Sequence, residues 1–433
     1  MRFLGIGGYC DLGDMYLRLA REGHEVRVHV SARESQDTFA GLVDRCADWR
    51  AELPWVRAAG QDGIILFEGA DRGATQDELR AAGYNVVGGS AFGDRLESDR
   101  DFGRSVLQSL GIATAPLLAF ASFDEGIDHI RRRPGRYVLK PNGTGAWAME
   151  SYVGQLDDGS DVIDVLNSLA SQPPGKTPPS FILMDHLQGV EVGVGAFFNG
   201  AEFLRPVRID FEHKRFFTGN LGELTGEMGT LVSWSGGDRI FEATLAKLAP
   251  RLAQSGYRGW INLNTIVDER GIWPLEFTAR FGYPGFAILS SLQTEGWAPL
   301  LRRLCDQSRP SFDTRDGFSV GVVLTVPPFP YQSTEPPSPT NLRILFRRPL
   351  TAAEEARLHF CEVAKRDGHL VTAGIMGQVM VVTGTGETVT AAQAKAYDLV
   401  KQVVIANMRY RTDIGSGYEA RDAALLRKWG WLD

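Results

Sequence analysis

The first hundred residues alternate short apolar segments with amphipathic ones, and this alternation constrains the fold more than any other feature of the chain. Strands are expected at residues 2–8, 25–30, 63–67 and 85–87, with helices at 14–22 and 75–82. Strands that alternate with helices are joined by crossover connections and form a parallel sheet. The sequence therefore predicts that residues 1–97 form a small doubly wound α/β domain.

The remaining residues predict further α/β and α+β structure, and a length of 433 residues suggests about three domains. A hairpin is expected around the turn 268–271, because strand-like runs flank it. The segment 212–229 shows little regular pattern, and the last domain is expected to begin near residue 311. Further strands are expected at 116–120, 137–140, 181–184, 192–198, 260–267, 272–277, 319–326 and 378–383, and helices at 99–110, 241–255 and 391–405.

The composition of the chain excludes several classes of binding partner. The formal net charge of −7 argues against a general nucleic-acid binder, which needs a basic surface to displace counterions. No run is long and apolar enough to span a bilayer, and the N-terminus lacks the layout of a signal peptide. The four cysteines are too widely spaced for a zinc site or a disulfide framework. We expect a cytoplasmic protein that binds small molecules and not membranes.

A glycine-rich segment, Gly5-Ile6-Gly7-Gly8, ends the first strand. Glycines at this place let the backbone approach a phosphate near a helix N-terminus. No clear ribose-binding acid ends the second strand, so three interpretations stay open: a loop for a phosphate or small substrate, a tight structural turn, or part of a hydride-transfer enzyme.

Lys140 ends a predicted buried strand and is followed by a loop that contains Gly143 and Gly145. A strand can fix a lysine ammonium while a glycine-rich loop closes over the phosphates of a nucleotide. The alternative is a surface lysine beside a turn.

Glu276, Thr278 and Arg280 are two residues apart, so they should share one face of a strand. A carboxylate suits Mg²⁺, which prefers oxygen ligands, and an arginine nearby can stabilise a transferring phosphoryl group. The alternative is a half-exposed strand with ordinary ion pairs.

Two further segments, Glu212 to Arg215 and Thr225 to Gly229, combine a basic cluster with a glycine-containing loop. They could bind an anionic substrate, although a solvated run of charges is the usual explanation for such a pattern.

Taken in this order, these motifs resemble the phosphoribosylamine–glycine ligase family of ATP-grasp enzymes nearly from end to end. The resemblance implies an ATP-grasp domain at residues 98–310, with a lid at about 119–187. It also implies a small mixed α/β domain at 311–433. The family's last domain is similar to Ser319–Leu324, Gly377–Tyr397 and Arg411–Gly415.

The resemblance also implies roles for individual residues. Arg280 and Lys214 are expected to be catalytic, the latter within the family's aspartate-histidine-lysine-arginine stretch. The family's threonine-glycine-glycine-methionine-glycine loop is similar to Thr225–Gly229. ATP contacts are expected at Lys140, Gly143, Gly145, Asp185, Leu187, Glu191 and Arg100; Mg²⁺ or Mn²⁺ contacts at Glu276, Thr278 and Asn264; and substrate contacts at Gly7, Gly8, His213, Arg215, Thr225, Gly226, Met228 and Gly229.

The sequence departs from the family at its substrate motifs. The family's arginine-phenylalanine-glycine-aspartate-proline-glutamate signature is here Arg280-Phe281-Gly282-Tyr283-Pro284-Gly285, so both acids are absent. In the family these acids lie where the amino acid and the amine meet. The arginine-glutamate pair that follows the N-terminal glycines is replaced by Tyr9-Cys10.

The nucleotide and metal motifs depart as well. Asp99 stands where the family has a lysine, which leaves Arg100 to supply the charge, and the loop 143–149 lacks another lysine. Thr278 replaces the metal-binding asparagine, and Asn264 on the neighbouring strand is the expected substitute.

Three hypotheses about function follow. The protein is expected to be a monomer or a homodimer. The first is an ATP-dependent ligase that activates a carboxylate as an acyl phosphate and joins it to an amine, with substrates changed from those of the family. The second is the family's own glycine ligase of purine synthesis. The third is a non-catalytic relative with a binding or regulatory role.

Overall fold

The computed structural model describes residues 1–141, 151–172, 180–331 and 339–432, so the expected nucleotide contacts Gly143 and Gly145 lie outside the described residues. The chain divides into two compact units. The first comprises Met1–Ile112, Val190–Glu269 and Leu275–Asp433, and the second comprises Ala113–Gly189 and Arg270–Pro274. The three-domain division expected from the sequence stays a prediction.

The N-terminal sheet is parallel, as the alternation of elements predicts. Its strands are β1 (Arg2–Gly7), β2 (Glu25–Val30), β3 (Asp44–Arg45), β4 (Gly63–Phe67) and β5 (Asn85–Val87), in the order β3-β2-β1-β4-β5. Its helices are α1 (Gly13–Arg21), α2 (Leu53–Ala58), α3 (Gly73–Ala81) and α4 (Ala91–Ser98), and α5 (Arg100–Ser109) follows. Every residue of β4 is buried, which explains its continuous apolar sequence.

The second unit contains a four-stranded antiparallel sheet. Its elements are β6 (Leu117–Phe120), α6 (Phe123–Arg132), β7 (Tyr137–Pro141), β8 (Tyr152–Val153), α7 (Ser160–Ala170) and β9 (Phe181–Asp185), with the strand order β6-β9-β7-β8. Apolar side chains from both helices pack on one face of this sheet, for example Ile130 and Leu166 against Leu139 and Phe181.

An eight-stranded sheet forms the centre of the first unit. Its strands are β10 (Val190–Asn199), β11 (Arg208–Glu212), β14 (Gly229–Ser233), β15 (Arg258–Asp268), β16 (Gly271–Thr278), β17 (Phe318–Thr325), β19 (Leu358–Phe360) and β22 (Gln378–Gly386), in the order β16-β15-β10-β11-β14-β17-β22-β19. The hairpin predicted around residues 268–271 is present, since β15 and β16 are neighbours.

Shorter strands and helices complete this unit. The strands are β12 (Arg215–Phe217), β13 (Leu221–Leu224), β18 (Leu345–Phe346), β20 (Val363–Arg366), β21 (His369–Thr372) and β23 (Val403–Val404). The helices are α8 (Asp238–Ala243), α9 (Ala249–Gln254), α10 (Gly285–Ser290), α11 (Trp297–Asp306), α12 (Ala352–Glu355), α13 (Val389–Val400) and α14 (Ala423–Lys428).

Three local predictions are wrong. A single helix at 241–255 is replaced by α8 and α9, because Pro250 has no N–H to donate and fits only the first turn of a new helix. The helix expected at 391–405 ends at Val400, and β23 follows it. The segment 212–229 is regular: it contains the end of β11 and the hairpin of β12 and β13.

Candidate active site

The ammonium group of Lys214 lies among three carboxylates in the first unit. Its Nζ is 3.2 Å from Oε1 of Glu191, 3.3 Å from Oε2 of Glu212 and 3.2 Å from Oε1 of Glu276. The carboxylates come from β10, β11 and β16, and Lys214 follows β11. Three oxygens that converge on one cation show that this place favours positive charge.

A chain of hydrogen bonds fixes the orientation of Glu212. Nδ2 of Asn264 donates to Oε2 of Glu212 at 3.0 Å, and Nδ2 of Asn262 donates to Oδ1 of Asn264 at 2.7 Å. Nη2 of Arg208 donates to Oδ1 of Asn262 at 2.9 Å and lies 2.6 Å from Oδ2 of Asp210. The amide of Asn264 thus positions Glu212, and its expected role as a metal ligand stays a prediction.

Burial and charge shift the pKa values of these groups. Burial would lower the pKa of Lys214, but Glu212, Glu191 and Glu276 outweigh it and hold the pKa well above the ordinary value. Burial raises the pKa of Asp210 to about 7, against the effect of Arg208. Lys214 is therefore charged at neutral pH and holds the acids together.

Strand β16 presents its polar residues on one face, as their spacing predicts. Glu276 and Thr278 are at least partly exposed, and Phe277 between them is buried. Arg280 lies two residues beyond the end of the strand and is also partly exposed. Nε of Arg280 donates to Oε1 of Glu97 at 2.9 Å, and the second oxygen of Glu97 accepts the backbone N–H of residue 279 at 2.7 Å. Glu97 thus fixes the direction of a guanidinium that remains 36% exposed.

The second unit places Lys140 on a half-buried sheet face. Lys140 is opposite Ile182 in the pairing of β7 with β9, and Val138 is opposite Met184. All four side chains are half-buried on the face that points away from the helices. Asp185 is opposite Tyr137, three positions along the ladder and roughly 10 Å from Lys140.

The other expected nucleotide contacts lie apart from this face. Leu187 is half-buried and follows β9, and Asp185 lies 2.9 Å from Nη2 of Arg133. Arg100 is exposed at the start of α5, and Asp99 caps that helix by accepting the backbone N–H of Phe102 at 2.9 Å.

The N-terminal glycines border a buried acid. A methyl group at Gly7 would overlap the carboxylate of Glu68, whereas one at Gly8 would meet nothing within 4 Å. Burial, and then the charge of Asp11, raise the pKa of Glu68 to about 8. Gly7 is therefore required by packing, and only Gly8 borders open space.

Three expected substrate residues make internal hydrogen bonds. Nε2 of His213 accepts the backbone N–H of Gly415 at 3.2 Å, and burial lowers its pKa to about 4. Arg215 donates to the carbonyl of Gly222 at 2.7 Å, and the hydroxyl of Thr225 donates to the carbonyl of Lys214 at 2.8 Å. These bonds stabilise the segment around Lys214.

The remaining three expected substrate residues lie in the loop before β14 or at the first residue of that strand. Met228 is fully buried in a cluster with Phe216 and Phe329. Gly229 has φ of 148°, and a methyl group there would overlap the carbonyl oxygen of residue 321. A methyl group at Gly226 would meet nothing within 4 Å. Of these three, the geometry leaves only Gly226 beside open space, and the substrate roles of all three stay predictions.

The residues present suit a divalent ion that arrives with a nucleotide. In the described parts of the chain, no group of three or more His, Cys, Asp or Glu residues is arranged to hold a metal by itself. Mg²⁺ is usually bound by one or two carboxylates together with substrate phosphates. Glu276 and Glu212 offer two carboxylates at one place, where a cationic group already lies between them.

Sequence reasoning missed several residues of this site. Glu212, Asp210 and Arg208 alternate along β11 with the apolar residues Ile209 and Phe211. Glu97 and Asn262 act only through partners that are distant in sequence. The alternation of charged residues at 208, 210 and 212 was the available signal.

None of the helices in the described parts of the chain combines the length and apolar character needed to cross a bilayer.

Comparisons with known proteins agree with this arrangement. Residues 98–286 match the phosphoribosylglycinamide synthetase ATP-grasp (A) domain, and residues 319–417 match the C domain of the same family. The phosphoribosylamine–glycine ligase of Corynebacterium ammoniagenes is 28% identical over 405 residues, covering 90% of this chain and 88% of that protein. The corresponding ligase of Listeria monocytogenes serotype 4b is 25% identical, covering 89% of each chain.

Solved structures share the fold. Phosphoribosylamine–glycine ligase from Thermotoga maritima has a TM-score of 0.69 at 24% identity and covers 96% of this chain and 100% of its own. Biotin carboxylase from Campylobacter jejuni has a TM-score of 0.63 at 13% identity and covers 98% of both chains. Together the two family matches span more than half of the sequence. The chain belongs to the phosphoribosylglycinamide synthetase family of ATP-grasp ligases, which use ATP and a divalent metal.

Proposed function

We propose that this ligase activates a carboxylate with ATP and Mg²⁺ and joins it to an amine, and that its substrates differ from glycine and phosphoribosylamine. The observation that carries the proposal is the convergence of Glu191, Glu212 and Glu276 on one cationic centre. Arg280 follows the strand that carries Glu276 and is partly exposed.

The half-buried face of the second unit supports a nucleotide contact. Val138, Ile182 and Met184 offer an apolar surface for a base, and Lys140 on the same face offers a charge for phosphates. The ATP contacts predicted at Asp185, Leu187, Gly143, Gly145 and Arg100 are part of the proposal.

The first chemical step transfers the γ-phosphoryl group of ATP to a carboxylate oxygen. The bond between the γ-phosphorus and the bridging oxygen breaks, a bond to the carboxylate oxygen forms, and ADP leaves. Glu276 and Glu212 would hold the ion that shields the phosphates, and Arg280 would stabilise charge on the transferring group. Lys214 keeps the two acids close before the nucleotide arrives.

The second step forms the carbon–nitrogen bond. The amine attacks the carbon of the acyl phosphate, the carbon–oxygen bond to phosphate breaks, and the amine loses a proton. The charged groups of the site would hold the reactants in position for this attack.

The altered signature supports a change of substrate. Tyr283 is half-buried, with its hydroxyl buried next to Cys361, and burial raises the pKa of this hydroxyl well above the ordinary value. Its side chain therefore fills space where the family has an aspartate. Gly285 stands where the family's signature has its second acid, a glutamate.

Calorimetric titration of Mg·ATP into the full-length protein tests the nucleotide site. We expect binding that weakens about tenfold or more in Glu276→Ala, since a charge-assisted contact contributes about 1.5–3 kcal/mol. Glu269→Ala, in the exposed turn of the same hairpin, is the matched control and should bind normally. ADP release with panels of carboxylates and amines would then identify substrates.

Two results would overturn the proposal. Binding of Mg·ATP and turnover in Glu276→Ala equal to those of the wild-type protein would show that Glu276 does not hold the metal. Efficient formation of glycinamide ribonucleotide from glycine and freshly made phosphoribosylamine would show that the substrates are those of the family. Cytoplasmic location is part of the proposal, supported by four cysteines that form no disulfide.

A further inference from the structure

A short segment that follows β23 contacts the chain on both sides of Lys214. Nη1 of Arg411 donates a hydrogen bond to the carbonyl of Arg215 at 2.9 Å. The backbone N–H of Gly415 donates to Nε2 of His213 at 3.2 Å. Both sequence neighbours of Lys214 are therefore bonded to residues that lie 196 and 202 positions further along the chain.

The same segment holds the turn of the hairpin formed by β12 and β13. Nη2 of Arg411 donates to Oδ1 of Asn220 at 2.9 Å, and Oδ2 of Asp413 accepts the backbone N–H of Gly219 at 3.0 Å. A two-stranded hairpin is only marginally stable by itself, and every residue of β13 is exposed. The anchors at the turn therefore contribute to the fixed position of this hairpin, whose first strand begins directly after Lys214.

Arg411 is the centre of these contacts. Only 1% of its side chain is exposed, and four of its five N–H groups donate hydrogen bonds. Two of them form a fork with Asp413, from Nε to Oδ1 at 2.7 Å and from Nη2 to Oδ2 at 2.8 Å, which compensates the buried charge. The other two reach the base of the hairpin at Arg215 and its turn at Asn220. A planar guanidinium can make this set of bonds, whereas a lysine ammonium lacks the fork.

Helix α13 fixes the segment in turn. The hydroxyl of Tyr397 donates to the carbonyl of Arg411 at 3.0 Å and accepts the backbone N–H of Ile414 at 3.0 Å. Because the segment is bonded to a helix, it is a firm support for the residues around Lys214.

The ammonium group of Lys214 needs such a support. A lysine side chain is long and flexible, so the place of its charge depends on the backbone that holds it. The three carboxylates around this ammonium come from strands of the central sheet, whereas Lys214 lies between β11 and the hairpin. A change in the backbone at Arg215 would therefore move the ammonium group relative to the carboxylates.

We propose that Arg411 is a positioning residue for Lys214. It acts through the carbonyl of Arg215 and through the hairpin, and it keeps the ammonium group among the three carboxylates of the candidate active site before a nucleotide binds. Only the catalytic meaning of this centre rests on the proposed ligase function.

Competitive labelling of lysines with acetic anhydride, followed by mass spectrometry of peptides, tests this position in the full-length protein without any substrate. Only the uncharged amine reacts, so a lysine that is held as an ammonium group among carboxylates reacts slowly. Lys247 is exposed and serves as the internal reference. Rates measured over a range of alkaline pH also give the apparent pKa of Lys214.

In Arg411→Met we expect Lys214 to react about tenfold faster or more relative to Lys247, the equivalent of one lost hydrogen bond to a charged group. The apparent pKa of Lys214 should fall toward the ordinary value of a lysine. Asn220→Gly removes only the bond at the turn, and glycine readily adopts the φ of 58° found there. This variant should raise the relative rate of Lys214 by about threefold.

Arg303→Met is the matched control. Nη1 and Nη2 of Arg303 form a fork with Glu295 at 2.6 Å and 2.9 Å, and Nη1 also donates to the carbonyl of Ser311 at 3.0 Å. The substitution therefore removes a similar set of bonds, and none of these partners belongs to the segment around Lys214. We expect it to leave the relative labelling of Lys214 unchanged.

The results separate this inference from the proposed function. Relative labelling of Lys214 that is equal in Arg411→Met and the wild-type protein overturns the inference. An equal increase in Arg303→Met also overturns it, because loss of stability alone would then expose the lysine. If Arg411→Met does not fold, an unchanged rate in Asn220→Gly has the same meaning.

Titration of Mg·ATP into the wild-type protein completes the separation. An increase in the labelling of Lys214 that is specific to Arg411→Met, without binding of Mg·ATP, supports the positioning role and contradicts the proposed ligase. Binding of Mg·ATP together with unchanged labelling in Arg411→Met supports the ligase and overturns the inference.

Discussion

Replacement of Lys214 by methionine removes the cation on which three carboxylates converge. Truncating one partner of a fully buried ion pair costs about 3–5 kcal/mol, whereas exposed pairs contribute about 0–1 kcal/mol. Lys214 is 25% exposed and Glu212 15%, but Glu191 and Glu276 are 44% and 55% exposed. We therefore expect Lys214→Met to lower the free energy of unfolding by about 2 kcal/mol at pH 7.5.

The loss of stability in Lys214→Met should depend on pH and on Mg²⁺. Lys214 stabilises ionised carboxylates, so its removal matters less as pH falls and these groups become protonated. Since the three oxygens suit a hard cation, Mg²⁺ should stabilise the variant more than the wild-type protein. Urea denaturation at pH 7.5 and pH 4.5, with and without Mg²⁺, measures both effects.

Lys247→Met makes the same change at an exposed residue and should alter stability by less than about 0.5 kcal/mol. If Lys214→Met behaves like this control, the convergence of charge contributes nothing to the fold. A loss that is equal at both pH values and insensitive to Mg²⁺ would show that the side chain acts through packing, and the electrostatic reasoning would be refuted.

Two further changes test the packing of the first unit. Burial opposes ionisation of Asp14, but Arg18 and His359 lower its pKa to about 2, so Asp14→Asn should cost about 2 kcal/mol at pH 7. The charged form of Asp14 stabilises the protein above the ordinary pKa of an aspartate. The stability difference between Asp14→Asn and the wild-type protein should therefore disappear as pH falls from about 4 to 2. If urea denaturation at pH 2.5 shows the same loss of stability as at pH 7, this reasoning is wrong. Gly229→Ala should cost about 2 kcal/mol or more, because φ is 148° and the new methyl group would overlap the carbonyl oxygen of Gly321. A thermal denaturation midpoint equal to that of the wild-type protein would show that the backbone adjusts.

The periodicity of apolar residues was sufficient to predict an element where the residues that determine it are close together in the sequence. Strands β2, β4 and β5 begin and end where the apolar runs predict. The shared face of Glu276 and Thr278 follows from alternation along β16, which ends before Arg280. The break at Thr244 and the strands between residues 212 and 229 were not predicted, because their short segments depend on partners elsewhere in the chain.

The sequence by itself determined the parallel N-terminal sheet, the family, and the placement of Lys140 and Glu276 on strands, since each depends on the order and period of residues along the chain. Only the tertiary structure brought Glu191, Glu212 and Glu276 to one ammonium group, because they come from three strands. Charge interactions depend on distance through space, and the spacing of residues along a sequence does not give that distance.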